Sequence, residues 1–92
     1  MFSWDPQKAI TNFEKHNISF DQAASIFADI EGLDWQDDEH SGQEQRFKRL
    51  GRSATGHILV VVYTVRGNIN EENIRIISAR QASRKERKAY TE

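Results

Sequence analysis

A chain of 92 residues with a formal net charge of −1 suits a single domain with a modest core. The lack of any cysteine excludes disulfide stapling and thiol catalysis. The longest apolar stretch, residues 58–63, is six residues, against the ~20 that a membrane helix needs. The opening MFSWDPQ also lacks the regions of a secretory signal peptide. The expectation is a cytoplasmic protein that does not engage a membrane.

In chain order, Phe2, Ser3 and Trp4 alternate and predict a short first strand. Asp5 and Pro6 then open a helix as N-cap and first helical residue. Its Ala9, Ile10 and Phe13 share one face, and it should end near Asn17. Ser19 and Gln22 have capping-box spacing and begin a second helix. That helix carries a stripe of Phe20, Ala23, Ala24 and Phe27, widened by Ile26 and Ile30.

After Gly32 the pattern turns extended, with a strand at Leu33–Gln36 and a hydrophilic turn over 37–42. A charged strand follows over 46–52, then a turn at Ala54, Thr55 and Gly56. Residues 57–65 are rich in β-branched residues and apolar on both faces, which predicts a central strand. Gly67 and Asn68 belong to a loop leading to a strand over 74–79, and Ser83 caps a terminal helix over 83–90. Residues 1–92 thus form one α+β domain. It has an N-terminal strand and two helices, an antiparallel sheet of three to four strands and a C-terminal helix, with the helices covering one sheet face.

Charge is distributed unevenly. Residues 1–45 hold two cations and ten carboxylates, whereas residues 46–92 hold eleven cations and four carboxylates. The two halves either neutralise each other in the fold or leave a basic face for phosphates. Arg75, Arg80, Arg84, Lys85, Arg87 and Lys88 crowd the C-terminal segment and point to a polyanion.

The densest candidate metal ligands, Asp37, Asp38, Glu39 and His40, match no zinc or calcium spacing, and an acidic turn is the simpler account. No metal or other cofactor is expected. Glycine-rich phosphate loops are also missing. What the chain offers suits metal-independent RNA cleavage, which needs a base, an acid and cations around the phosphate. His16 supplies an imidazole, a group that exchanges protons near neutrality. Lys15 beside it can contact the phosphate, and Arg80 can clamp it through paired hydrogen bonds. Tyr63 and Tyr90 offer stacking surfaces or a phenol donor.

Structural readings stand beside these. His16 in a last helical turn also suits the helix dipole. Tyr63 in an apolar strand also suits the core. Arg84, Lys85, Arg87 and Lys88 can form a solvated helix face, with Glu86 pairing to Tyr90 or to a neighbouring arginine.

Phe2-Ser3-Trp4-Asp5, Lys8-Ala9, Asn12, Lys15-His16 and Ile18-Ser19-Phe20 resemble the opening of the BrnT toxin family. The similarity resumes at residues 23–27 and Asp29, then at His40, Glu44, Arg46 and Gly51. It returns in Val61-Val62-Tyr63-Thr64 and is clearest in Arg75-Ile76-Ile77-Ser78-Ala79-Arg80, followed by Ala82-Ser83-Arg84, Glu86-Arg87 and Tyr90. The family's usual glycine after the Lys-His pair is Asn17 here, a residue that tolerates the left-handed conformation. The resemblance implies a RelE-like fold and a bacterial ribonuclease toxin that arrests translation. It also implies a neutralising BrnA-like ribbon-helix-helix antitoxin, through which alone operator DNA would be contacted.

Taken together, these readings predict an endoribonuclease with His16 as general acid or base and Arg80 as the phosphate clamp. Lys15 assists in neutralisation and Tyr90 stacks on a base or positions water. Arg46, Arg49, Arg84 and Lys85 hold the flanking backbone. The rival readings are a non-catalytic binding module using the same basic face, and a structural domain whose charges balance internally.

Overall fold

Both faces of the strand at Ile58–Arg66 are apolar, so it must be covered twice, and the rest of the architecture follows from this. The computed structural model describes residues 1–39, 41–67 and 72–92. His40 of the predicted acidic turn and Asn68 of the predicted loop lie outside the described residues. The elements are β1 (Phe2–Ser3), α1 (Pro6–His16), α2 (Phe20–Ser25) with a 3₁₀ turn at Ile26–Ala28, β2 (Leu33–Gln36), β3 (Phe47–Arg52), β4 (Ile58–Arg66), β5 (Asn73–Gln81) and α3 (Arg84–Thr91).

The sheet order is β1-β5-β4-β3-β2, which puts β4 at the centre as predicted. Strands β2 to β5 are antiparallel, and β1 adds a short parallel edge beside Ile74 and Arg75. Leu59, Val61, Ile76 and Ala79 pack against Ile18, Phe20, Ala23 and Ile26 from the α1–α2 side. Gly51 belongs to this side too: a Cβ there would lie 3.2 Å from Ile26 Cβ, so the bare backbone lets the 3₁₀ turn come close.

The opposite face of the sheet carries Leu50 and Val60, which form a second cluster with Ala82, Ile58 and Tyr90. Here the expectation that all helices cover one face is corrected. Ala82 N–H bonds Ile58 O (2.9 Å), continuing the ladder for one more residue. Ser83 then caps α3 with a full capping box and sends it across the second face.

Local chemistry accounts for the helix ends. The Asp5 carboxylate accepts from Gln7 N–H (2.9 Å), and Pro6 occupies the first turn. Asn17 adopts φ 59° and donates its N–H to Phe13 O (2.8 Å), so asparagine does take the left-handed cap. Ser19 accepts from Gln22 N–H (3.1 Å) to start α2.

The second helix is shorter than predicted. Asp29 stands in an extended conformation and accepts N–H bonds from Arg52 (2.8 Å) and Glu31 (3.0 Å), which stops the helical run. Ile30 is therefore 97% exposed rather than part of the apolar stripe. In α1, Ala9 packs on the core while Ile10 and Phe13 are exposed.

The inner face of α1 is anchored by a polar residue. Among the described residues, β1 pairs with β5 only at Ile74 and Arg75, and no strand lies beside the outer edge of β5 further along. Asn12, 7% exposed, takes the strand's place. Its carboxamide accepts the Ala79 N–H (3.0 Å) and donates to Ala79 O (2.9 Å) and Ile18 O (3.1 Å). Removing this amide would leave several buried backbone groups unpaired. Asn12→Ala should lower unfolding free energy by about 2–4 kcal/mol, measured by urea denaturation; a change within ~0.5 kcal/mol would show that the pairing is dispensable.

Candidate active site

The register across the uncovered part of the second sheet face assembles a basic cleft. Lys48 stands opposite Val62, and Val62 opposite Ser78; Leu50 stands opposite Val60, and Val60 opposite Arg80. Side chains in such rows share one face. Between Val62 and Tyr63 the β4–β5 register shifts, and Ile77 is the extra residue. This bulge brings Ile77 and Ser78 together into the cleft wall.

The C-terminus of α1 closes the cleft from the β5 side, held there by Asn12. The resulting cavity of about 300 Å³ is lined by Lys15, His16, Asp37, Arg46, Lys48 and Arg80 around a floor that includes Val60, Val62 and Ser78. At the opposite wall, Asp37 N–H bonds Arg46 O (2.8 Å), and the Ser41 hydroxyl donates to Asp37 O (2.8 Å) while accepting Arg46 N–H (3.0 Å). Asp37 itself is 5% exposed.

Four cations surround one carboxylate here. Lys15, Arg46 and Lys48 form no ion pair among the described residues, so their charge faces the cavity. Arg80 is held differently. Its Nη1 and Nη2 donate to the two oxygens of Glu86 (2.7 and 3.0 Å), and Nη1 also donates to Gln81 O (3.2 Å). Among the described residues, Nε–H and the second Nη2 N–H remain unused. They form one edge of the guanidinium and suit two oxygens of a phosphate.

The sequence-predicted site residues divide by face. Lys15, His16, Arg46 and Arg80 converge on the cleft. Arg49 alternates with Lys48 and so lies on the other face, where it donates to Ile26 O (3.3 Å), pairs with Asp34 and covers the Phe27 ring at 5.5 Å. Tyr90 stands away from the cleft as well. Its hydroxyl donates to Asp29, and Arg52 lies over its ring at 5.7 Å. The bond to Asp29 pushes the phenol pKa up and, in return, holds that carboxyl below its ordinary range. Arg84 and Lys85 are exposed in the first turn of α3 and do not line the cleft.

Tyr63 is a core residue. It is 8% exposed, donates to Asp34 (2.8 Å) and lies between the rings of Phe27 and Phe47. Burial first, then the Asp34 bond, raises its pKa. His57 is exposed beside the Ala54–Gly56 turn.

Two charged lining residues, Lys48 and Asp37, stand outside the site that the sequence predicts. Strand parity cannot be assigned without the register, so the sequence alone does not tell Lys48 from Arg49. Asp37 was read as part of a solvated turn, although it lies two residues beyond Trp35 in the same alternation.

The Glu86 contact has a measurable pH consequence. The Arg80 bonds pull its pKa to about 2. A carboxyl depressed in this way stabilises the fold above its unfolded pKa of ~4.3, and that contribution disappears as pH falls through the folded value. The stability advantage of the wild type over Glu86→Gln should therefore shrink between about pH 5 and pH 2, by roughly 1 kcal/mol given solvent screening of Arg80. Paired thermal melts across that range check it; a constant difference would mean that the ion pair adds nothing.

Residues 4–86 match the family model described as the ribonuclease toxin, BrnT, of type II toxin–antitoxin systems. No curated protein matches significantly in sequence. The crystal structure of the Brucella abortus ribonuclease toxin BrnT is similar in fold, with a TM-score of 0.66 and 23% sequence identity over 91% of this chain and 99% of that one. The matched segment runs from Trp4 to Glu86 and so includes every residue that lines the cleft. With nearly the whole chain covered by one family model and the same α+β architecture beside it, the chain belongs to the BrnT family of type II toxin–antitoxin ribonuclease toxins.

Proposed function

We propose that this chain is a metal-independent endoribonuclease that cleaves RNA in the cleft between α1 and the second sheet face, and thereby inhibits translation. The observation that carries this reading is the meeting of the Lys15–His16 helix end with Arg46, Lys48 and Arg80 in one cavity. In such a reaction the ribose 2′-oxygen attacks the neighbouring phosphorus, its proton leaves to a base, and the departing 5′-oxygen receives a proton from an acid. His16 and Asp37 are the two cleft groups suited to those transfers. Arg80 presents its unused guanidinium edge to the phosphate, while Lys15, Arg46 and Lys48 offset the charge that builds up on the equatorial oxygens. The four cations take the part that a bound divalent ion plays elsewhere.

Family membership implies an antitoxin partner. We infer one of ribbon-helix-helix type that neutralises the toxin in the cytoplasm and alone contacts operator DNA. Among the described residues, no helix is long and apolar enough to cross a membrane.

His16→Ala and Arg80→Ala should each reduce the single-turnover cleavage rate of chelator-treated protein by about 10²–10⁴-fold, and each should relieve growth arrest on induced expression. If both variants keep full activity, the site assignment is wrong; if wild-type protein binds RNA and leaves it intact, the cleft is a binding site only. Four phosphate-facing cations also predict a slope of about −3 for log affinity against log salt on single-stranded RNA. A slope near zero in a binding titration would exclude a phosphate-driven contact.

A further inference from the structure

Beyond the cleft's ion-lined wall lies an exposed aromatic residue that the core does not use. Trp35 is 41% exposed on the edge strand β2 and belongs to neither core cluster. Trp4, by contrast, packs edge-to-face on Phe20 with ring centroids 5.9 Å apart.

Three observations settle which way Trp35 faces. It stands directly opposite Lys48 in the β2–β3 register, and Lys48 lines the cleft. Directly opposed residues have Cβ atoms about 4.5–5.5 Å apart on the same face. Asp37, two residues further along, lines the cleft too. Asp34, the intervening neighbour, points the other way to Tyr63 and Arg49. Trp35 therefore stands on the cleft side of the sheet, beside Lys48 at the cavity's edge.

A broad π-face beside phosphate-binding cations is the arrangement that holds an unpaired base next to its own backbone. We propose that Trp35 is a base-stacking residue, which receives the base of a nucleotide adjoining the phosphate in the cleft and restricts the substrate to single-stranded RNA. This rests on the cleft taking a phosphodiester, as proposed above. An A-form duplex keeps its base faces stacked and cannot offer one to the indole. Stacking on the ring face is also tolerant of base identity, so Trp35 selects for strandedness more than for sequence.

The test uses full-length protein carrying Trp4→Phe, so that Trp35 alone emits. The probes are a 2′-O-methyl single-stranded RNA oligomer, which cannot be cleaved, its abasic counterpart of equal length, and a duplex. The single-stranded oligomer should quench the emission. Trp35→Ala should weaken binding, read by anisotropy of labelled oligomer, by about 5–150-fold, and Trp35→Phe should restore most of it. Wild type and Trp35→Ala should bind the abasic oligomer equally, which a folding defect would not produce.

Unchanged emission with equal affinity of wild type and Trp35→Ala for the base-bearing oligomer overturns the stacking role and leaves the cleft reading intact. Equal quenching by the duplex overturns the selection for single strands. Emission that responds to the co-expressed antitoxin but to no oligomer also overturns the assignment, making β2 a protein-docking edge. If no oligomer binds the wild type at all, the cleft reading fails, and the stacking role with it.

Discussion

The Asn12 carboxamide, paired with both backbone groups of Ala79, is the contact on which the site's geometry depends. A two-residue β1 leaves the β5 edge uncovered beyond Arg75, and buried peptide groups there need partners. An amide side chain is neutral and carries its donor and its acceptor on two adjacent atoms, so it can pair with one residue's N–H and C=O as a neighbouring strand would. Its third bond, to Ile18 O, ties the chain beyond α1 to the same point. Asn12 sits one helical turn before His16, and Ala79 immediately precedes Arg80. One buried side chain therefore ties the helix end that carries the imidazole to the strand that carries the guanidinium, and both residues line the cleft.

Strand alternation sorts the charges on either side of that clamp. On β3, Arg49 faces the helices and is held by Asp34 and the carbonyls of Ile26 and Asp29. Lys48, one position earlier, faces the cleft and has no ion pair among the described residues. Carboxylates of the acidic first half thus meet specific partners: Asp34 takes Arg49, Glu44 takes Arg66 at 2.9 Å, and Asp29 takes the Arg52 N–H. Internal balancing and a free basic surface are both realised, on opposite faces of one strand. The low net charge conceals a cluster of cations on one face of the sheet.

The terminal helix links stability to the same site. Glu86 completes the Ser83 capping box through the Ser83 N–H (2.7 Å) and also holds Arg80, so the end of β5 and the start of α3 share one carboxylate. At the far end, Tyr90 on Asp29 and Leu50 beneath the helix fasten α3 to the sheet. With no buried residue of its own, α3 is held by these polar anchors and a small apolar patch. Its basic residues are left in solvent rather than delivered to the cleft.

Several features were legible in the residues alone because they depend on neighbours in sequence. Asp5-Pro6, Ser19 with Gln22, Asn17 and Ser83 with Glu86 each satisfy backbone groups within a few positions, so the α1 boundaries and the caps of α2 and α3 could be read directly. The doubly apolar run of β4 declared its central place, and the terminal motifs resembling the toxin family pointed to the Lys15–His16 and Arg80 segments. Other features needed the fold. The early stop of α2 depends on Asp29 meeting Arg52, residues 23 positions apart. Whether Arg49 or Lys48 faces the cleft, and with it Trp35, depends on strand register, where a single step reverses the face, and Tyr90 is placed by the docking of α3. Local order governs which elements form; only long-range pairing decides which side chains share a face.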